Sequence, residues 1–183
     1  MDRTILQSVV TQHSSGLAVV AAPLEILPIE SVDGEQLHKA IELARREYDY
    51  VFMDMPSNLT NWTLSMLAEA GSIVMLVEQN IASLRQAKRR LDLFRNVGID
   101  SRIISAVVNR TERRLFGSIG LSDVEEALGH KVVHGLRADG QNIVVAQDQG
   151  LLVNEIRGKS AYAVDIGKLA DALRQRLEQG IRL

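Results

Sequence analysis

The sequence predicts an α/β fold, with a mostly parallel sheet flanked by helices on both faces. Three observations predict it. Short runs that are apolar at every position suit strands covered on both sides. They alternate with longer segments whose apolar residues recur at steps of three and four, as on one helix face. Prolines and glycines fall between the runs rather than inside them.

The strand runs are residues 17–22 (LAVVAA), 50–53 (YVFM), 73–77 (IVMLV) and 103–108 (IISAVV), with 131–134 a weaker fifth. The first predicted helix, 36–46, carries Leu37, Ile41 and Ala44, and the second, 59–70, carries Leu59, Thr63, Met66, Leu67 and Ala70. A third, 81–97, places Ile81, Leu84, Ala87, Leu91 and Phe94 on one face, and 122–128 is a shorter helix. The last, 160–179, carries Val164, Leu169, Leu173 and Leu177, with Ser160 in position to cap its N-terminus. Pro23 and Pro28 bracket a loop, and Gly98 and Gly129 follow helices, where a left-handed cap favours glycine. Repeated strand–helix alternation implies parallel strands joined by crossovers. With no internal repeat or flexible linker, residues 1–183 are expected to form a single domain.

Composition narrows the function classes. The chain has 183 residues, 46% hydrophobic and 24% charged, and 21 Lys and Arg against 23 Asp and Glu give a net charge of -2. That balance disfavours a strongly basic nucleic-acid module, though it permits a local basic patch. No cysteine is present, which excludes a disulfide scaffold, a zinc–cysteine site and a thiol nucleophile. No run reaches the ~18 apolar residues of a membrane span. The opening MDRTILQSVV lacks the apolar region of a secretory signal.

Ligands of open parallel sheets sit at the carboxyl ends of the strands. The run 50–53 leads directly into Asp54, placed to hold Mg²⁺ through water beside a nucleotide phosphate. A solvated aspartate opening the turn before Pro56 is the bland alternative. The run 73–77 ends in Glu78, Gln79 and Asn80, which read as ordinary loop polarity. The run 103–108 ends in Asn109 and Arg110, and a carboxamide offers the donor and acceptor that an adenine edge needs. Asparagine is equally at home in a turn.

Several chemistries lack their motif. Gly158, Lys159 and Ser160 match only the tail of GxxxxGK[ST], since Val153 stands where the first glycine is required, so they read as a loop entering the last helix. GxGxxG, HExxH and GxSxG are absent. His13, His38, His130 and His134 read as surface residues. Arg85, Lys88, Arg89, Arg90 and Arg95, then Arg110, Arg113 and Arg114, form basic clusters whose default reading is a solvated face.

Taken in order, these segments resemble the MinD/ParA class of deviant P-loop ATPases. YDYVFMDMPSNLT resembles that class's Walker B element, an apolar run followed by D-x-P. AGSIVMLVEQNIASLRQAKRRLDLF resembles its next strand and helix, and VVNR the strand ending in an adenine-contacting asparagine. The stretch from EALGHKVV to KLADAL resembles its C-terminal part, although the P-x-D turn reads Leu136-Arg137-Ala138-Asp139 without the proline. GLAVVAAPLE resembles a strand of the pilus-assembly branch, CpaE/TadZ. The likeness covers about residues 3 to 177.

The resemblance implies a cytoplasmic ATPase that positions or assembles a Flp/Tad-type pilus secretion machine, often at a cell pole on the inner face of the membrane. It implies a homodimer with pilus or secretion proteins as partners. ATP or ADP with Mg²⁺ would be the cofactors, Asp54 the Mg²⁺ carboxylate, Asn109 the adenine contact with Arg110 a further cofactor-binding residue, and Asp139 part of the base pocket. The family's P-loop, its lysines and a further aspartate have no counterpart here. The chain is therefore expected to be the C-terminal portion of a longer domain, with Met1 an expression start or a misassigned start codon. Alone it is expected to bind ATP weakly and to hydrolyse none. Its sheet, lacking the P-loop strand, is expected to close or to oligomerise through the open edge. The alternatives are a ParA-like DNA-segregation module and a non-catalytic scaffold. A MinD-type membrane helix ranks low, because LRQRLEQGIRL is broken by Gly180 and has no aromatic residue.

Overall fold

The computed structural model describes residues 3–23, 28, 31–111 and 119–178. The chain divides into two compact units, Met1–Glu69 and Ala70–Leu183.

The first unit opens with α1 (Arg3–Val9), which buries Leu6, and a two-stranded antiparallel ribbon, β1 (Thr11–Gln12) with β2 (Ala18–Val19). Helix α2 (Gly34–Glu47) starts at Asp33, whose carboxylate accepts from the amides of Glu35 and Gln36 at 3.0 and 3.2 Å. These bonds satisfy two amides with no partner in the first turn. In α3 (Asn61–Glu69), Thr60 and the fully buried Thr63 exchange backbone and side-chain hydrogen bonds at the first turn. Arg3 pairs with Glu47 at 2.7 Å, and His38 with Glu69 at 2.8 Å.

Two expected strands are corrected here. Of residues 17–22 only Ala18 and Val19 pair, and residues 50–53 form no strand. A run apolar on both faces becomes a strand only where neighbours complete its ladder and cover its faces. This unit offers residues 50–53 neither, and Phe52 is 82% exposed.

The second unit is built on a parallel sheet ordered β3 (Ile73–Val77), β4 (Ile104–Thr111), β5 (Val132–Arg137). Ile73 lies opposite Ile104 and Val77 opposite Val108, while Val107 lies opposite His134 and Thr111 opposite Arg137. Ile73, Met75, Val77, Ile104, Ala106 and Val108 therefore share one face. Helix α4 (Ile81–Asn96) buries Leu84, Ala87, Leu91 and Phe94, and α5 (Leu121–Leu128) buries Val124 and Leu128. Because α4 packs on β3 and every buried residue of β3 lies on this face, α4 covers it.

The opposite face meets α8 (Ala161–Glu178), where Leu169 packs on Val107 and Leu136 with Tyr162, Leu173 and Val133 around them. The expected seam of α8 shifts accordingly. Val164 and Leu177 are exposed, and Tyr162, Asp165, Leu169 and Leu173 face the sheet side. On β3 this face is uncovered, with Val74 38% and Leu76 55% exposed.

Asn80 caps α4 by accepting from the Ser83 amide at 2.8 Å. Gly129 adopts φ +60° after α5, the expected left-handed stop. Ser160 caps α8, its Oγ accepting from the Ala163 amide at 3.0 Å, so Gly158–Ser160 is the loop into the last helix. The sequence pattern alone did not announce α1, α6 (Gly140–Gln149) or the single turn α7 (Val153–Ile156). Arg113, Arg114, Gly180 and the rest of the LRQRLEQGIRL end beyond Glu178 lie outside the described residues.

Candidate functional site

In the second unit, parallel pairing brings the carboxyl ends of β4 and β5 side by side. Thr111 stands opposite Arg137, and the Ala138 amide donates to the Thr111 carbonyl at 3.3 Å, carrying the ladder one residue past β5. Asn109 and Arg110 lie just before Thr111, and Asp139 just after Ala138. Three of the four residues expected at a ligand site thus lie at adjacent strand ends.

Between Val108 and Thr111 the β4–β5 register slips. Arg110 occupies that irregularity with φ +54°, the one positive φ at a non-glycine residue among those described. A left-handed residue carrying a Cβ costs roughly 1–2 kcal/mol, and a bulge at a strand end re-aims the flanking side chains. The Arg110 amide donates to Asn109 Oδ1 at 3.0 Å, and its guanidinium reaches Glu78 Oε1, at the end of β3, at 3.2 Å. Glu78 is fixed in turn, its amide donating to Ser83 Oγ at 2.9 Å and its Oε2 accepting from Asn80 Nδ2 at 3.3 Å.

Asp139 is the residue before α6, and its Oδ1 accepts from Asn142 Nδ2 at 2.7 Å rather than from a helix amide. Two residues before it, Arg137 ties β5 to α8. Its amide and Nε donate to Asp165 Oδ2 at 3.1 and 2.7 Å, and its Nη2 to Oδ1 at 2.7 Å. Nη2 also reaches the Ala161 carbonyl at 3.2 Å. The Arg137 side-chain bonds hold the Asp165 carboxyl below the usual carboxylate range against the opposing effect of burial. The same contact raises the Arg137 pKa.

Asp54 belongs to the first unit. It is exposed, in a segment without regular structure. No group of three or more His, Cys, Asp or Glu among the described residues could hold a metal ion. Asp54 thus belongs to no such group, and a lone carboxylate suits Mg²⁺ only where water and phosphate oxygens supply the other ligands. At the other site, one carboxamide and one carboxylate at adjacent strand ends suit the polar edge of a base.

The histidines are half-buried rather than on the open surface. His130 Nε2 lies 3.0 Å from the Ile104 carbonyl, and His134 Nε2 is buried with no hydrogen-bond partner. On α4, Lys88 and Arg95 pair with Asp92, whereas Arg85 and Arg89 stand exposed one turn apart.

No protein-family model matches the sequence. Among known structures, the chain resembles a ParA family ATPase from Chlorobium tepidum with a TM-score of 0.81 at 19% identity, over 97% of this chain and 70% of that one. It resembles Aquifex aeolicus MinD in its MinC:MinD complex with a TM-score of 0.77 at 18% identity, over 99% and 72%. The cell division ATPase MinD of Pyrococcus furiosus gives 0.77 at 16%, over 93% and 70%. The fold is that of the MinD and ParA ATPases.

Sequence relatives point the same way. An ATP-binding protein of Methanocaldococcus jannaschii is 24% identical over 168 residues, 92% of this chain and 62% of that protein. The septum site-determining protein MinD of Bacillus subtilis is 24% identical over 123 residues, 66% of this chain and 45% of its own length. The chain thus spans less than two thirds of the length of these relatives. Among the described residues no helix is long and apolar enough to cross a membrane.

The Arg137–Asp165 and Arg110–Glu78 contacts were missed from sequence. Asp165 carried a signal, since it falls between Tyr162 and Leu169 on the buried stripe of α8, where a lone charge needs a partner. Glu78 carried none beyond its place at a strand end.

Proposed function

We propose that this chain is the base-binding side of a MinD/ParA-like ATPase of the CpaE/TadZ branch, acting in the placement or assembly of a pilus secretion machine. The observation that carries the nucleotide part is the meeting of Asn109, Arg110 and Asp139 at adjacent ends of two parallel strands in a MinD/ParA fold. In that fold class the strand ends are where nucleotides bind. Asn109 and Asp139 contact the base, Arg110 flanks it, and Asp54 serves Mg²⁺ through water. ATP or ADP with Mg²⁺ supplies the phosphoanhydride chemistry.

A phosphate cradle comes from sequence outside these residues. Backbone amides and a P-loop lysine supply most of the phosphate interaction, and no GxxxxGK[ST] lies within the chain. Alone, the chain binds nucleotide weakly and hydrolyses none. The branch assignment rests on GLAVVAAPLE, and the pilus partners and homodimer follow from that branch.

The test is calorimetric titration of ATP and ADP with Mg²⁺, on this chain and on the same chain joined to a P-loop segment from its gene. Tight binding by the joined chain alone is expected. Equal binding by both would place a phosphate site within residues 1–183, and binding by neither would leave a scaffold role.

A second reading, DNA binding, draws on exposed Arg85 and Arg89 on α4. A steep fall of DNA affinity with salt would favour it over pilus assembly.

A further inference from the structure

We propose that Glu78 is a positioning residue for Asn109, acting through Arg110; the inference rests on the reading of Asn109 as a base contact. Left-handed backbone is disfavoured for a residue carrying a Cβ, so the +54° φ of Arg110 needs something to hold it. Two contacts act on it, one through its amide and one through its guanidinium. The Arg110 amide is turned onto Asn109 Oδ1 at 3.0 Å, away from the β-ladder. Its guanidinium crosses from the end of β4 to Glu78 Oε1, at the end of β3, at 3.2 Å.

Glu78 is a fixed point for this pull. Its amide donates to Ser83 Oγ, and its second carboxylate oxygen accepts from Asn80, the residue that caps α4. A continuous run of contacts therefore joins the start of α4 to Glu78, Arg110 and Asn109. It engages the Asn109 carbonyl oxygen and so fixes which way the carboxamide faces.

The Glu78–Arg110 pair is exposed, and exposed pairs are weak. Glu78 therefore biases the left-handed state and does not enforce it. A neutral glutamine at this position keeps the shape and most contacts but loses the charge. Glycine at position 110 adopts the left-handed conformation without a guanidinium and without the Cβ penalty.

The experiment is amide and side-chain NMR of the full chain, with adenosine as the probe, on wild type, Glu78→Gln, Arg110→Gly and the double variant. Glu78→Gln is expected to move the Asn109 and Arg110 resonances and to weaken adenosine binding roughly twofold to fivefold, the range an exposed ion pair supports. In the Arg110→Gly background the same change is expected to do neither. Unmoved Asn109 resonances in Glu78→Gln, or an equal movement in the Arg110→Gly background, would overturn the positioning role alone. Adenosine that perturbs neither Asn109 nor Asp139 in wild type would overturn the base-site reading, and this role with it.

Discussion

Arg137 meets Asp165 through three hydrogen bonds, one from its backbone amide and two from its guanidinium, at 2.7 to 3.1 Å. Asp165 is 5% exposed, and Arg137 is its main compensation. The pair fixes the end of β5 to the first turns of α8, two residues before Asp139. It therefore joins the packing of the second unit to the geometry of its candidate site.

Removing Arg137 leaves a charged carboxylate buried without a partner. Hydrogen bonds to charged groups contribute about 1.5–3 kcal/mol, and leaving one side unpaired adds a desolvation cost. Arg137→Ala is expected to lower the urea unfolding midpoint, by less than a fully buried pair would because the guanidinium is half exposed. Arg137→Lys should recover only part of this, since an ammonium cannot make the two-pronged contact. An unfolding midpoint unchanged in Arg137→Ala would show that the pair contributes nothing.

The same pair sets an acid limit. Arg137 lowers the folded pKa of Asp165 below its ordinary 3.8. A depressed carboxylate contributes stability that is present above its unfolded pKa and is lost as pH falls through the folded value. Asp33 and Asp100 are shifted the same way, by the amides at the start of α2 and by the Arg102 side chain respectively. Urea midpoints should hold steady down to about pH 4.5 and fall below it, and Asp165→Asn should flatten that fall. An identical slope in Asp165→Asn would remove Asp165 from the account.

The elements legible in the sequence were those with strong local signals. The three- and four-residue steps of Leu84, Ala87, Leu91 and Phe94 gave α4, and the runs 73–77 and 103–108 gave the paired core of the sheet. Asn109 could be read as a strand-end candidate because it follows the apolar run 103–108, whereas Asp139 rested only on the resemblance of its turn. Residues 50–53 misled because an apolar run states only that it suits burial; pairing depends on neighbours far away in sequence. Arg110's left-handed backbone and its bond to Glu78 were invisible for the same reason, as 32 residues separate the partners.

The outer edge of β3 is the next point of weakness. Val74 and Leu76 are exposed on one face, and no described strand pairs beyond β3. Unpaired apolar edges recruit other strands. The chain is expected to associate, giving a scattering mass that rises with concentration. Leu76→Lys should shift the equilibrium toward monomer, because a charge on an edge strand opposes strand addition. A concentration-independent monomer in the unmutated chain would contradict this.

Base discrimination tests the strand-end site most directly. A carboxamide at Asn109 can donate to and accept from a base edge, so its loss should weaken adenine nucleotides more than guanine nucleotides. A neutral hydrogen bond contributes about 0.5–1.5 kcal/mol, and a site that leaves a group unpaired loses more. In the chain joined to a P-loop segment, Asn109→Ala is therefore expected to weaken ATP by roughly tenfold and to leave GTP nearly unchanged. Asp139→Asn provides the comparison, because it keeps the contact to Asn142 in size and shape while removing a charge from the candidate site. Calorimetry reads both affinities, and a thermal midpoint taken without nucleotide separates lost contact from lost folding. Equal losses for ATP and GTP would mean that Asn109 shapes the strand end without reading the base, and the recognition would then have to lie in the backbone around Asp139.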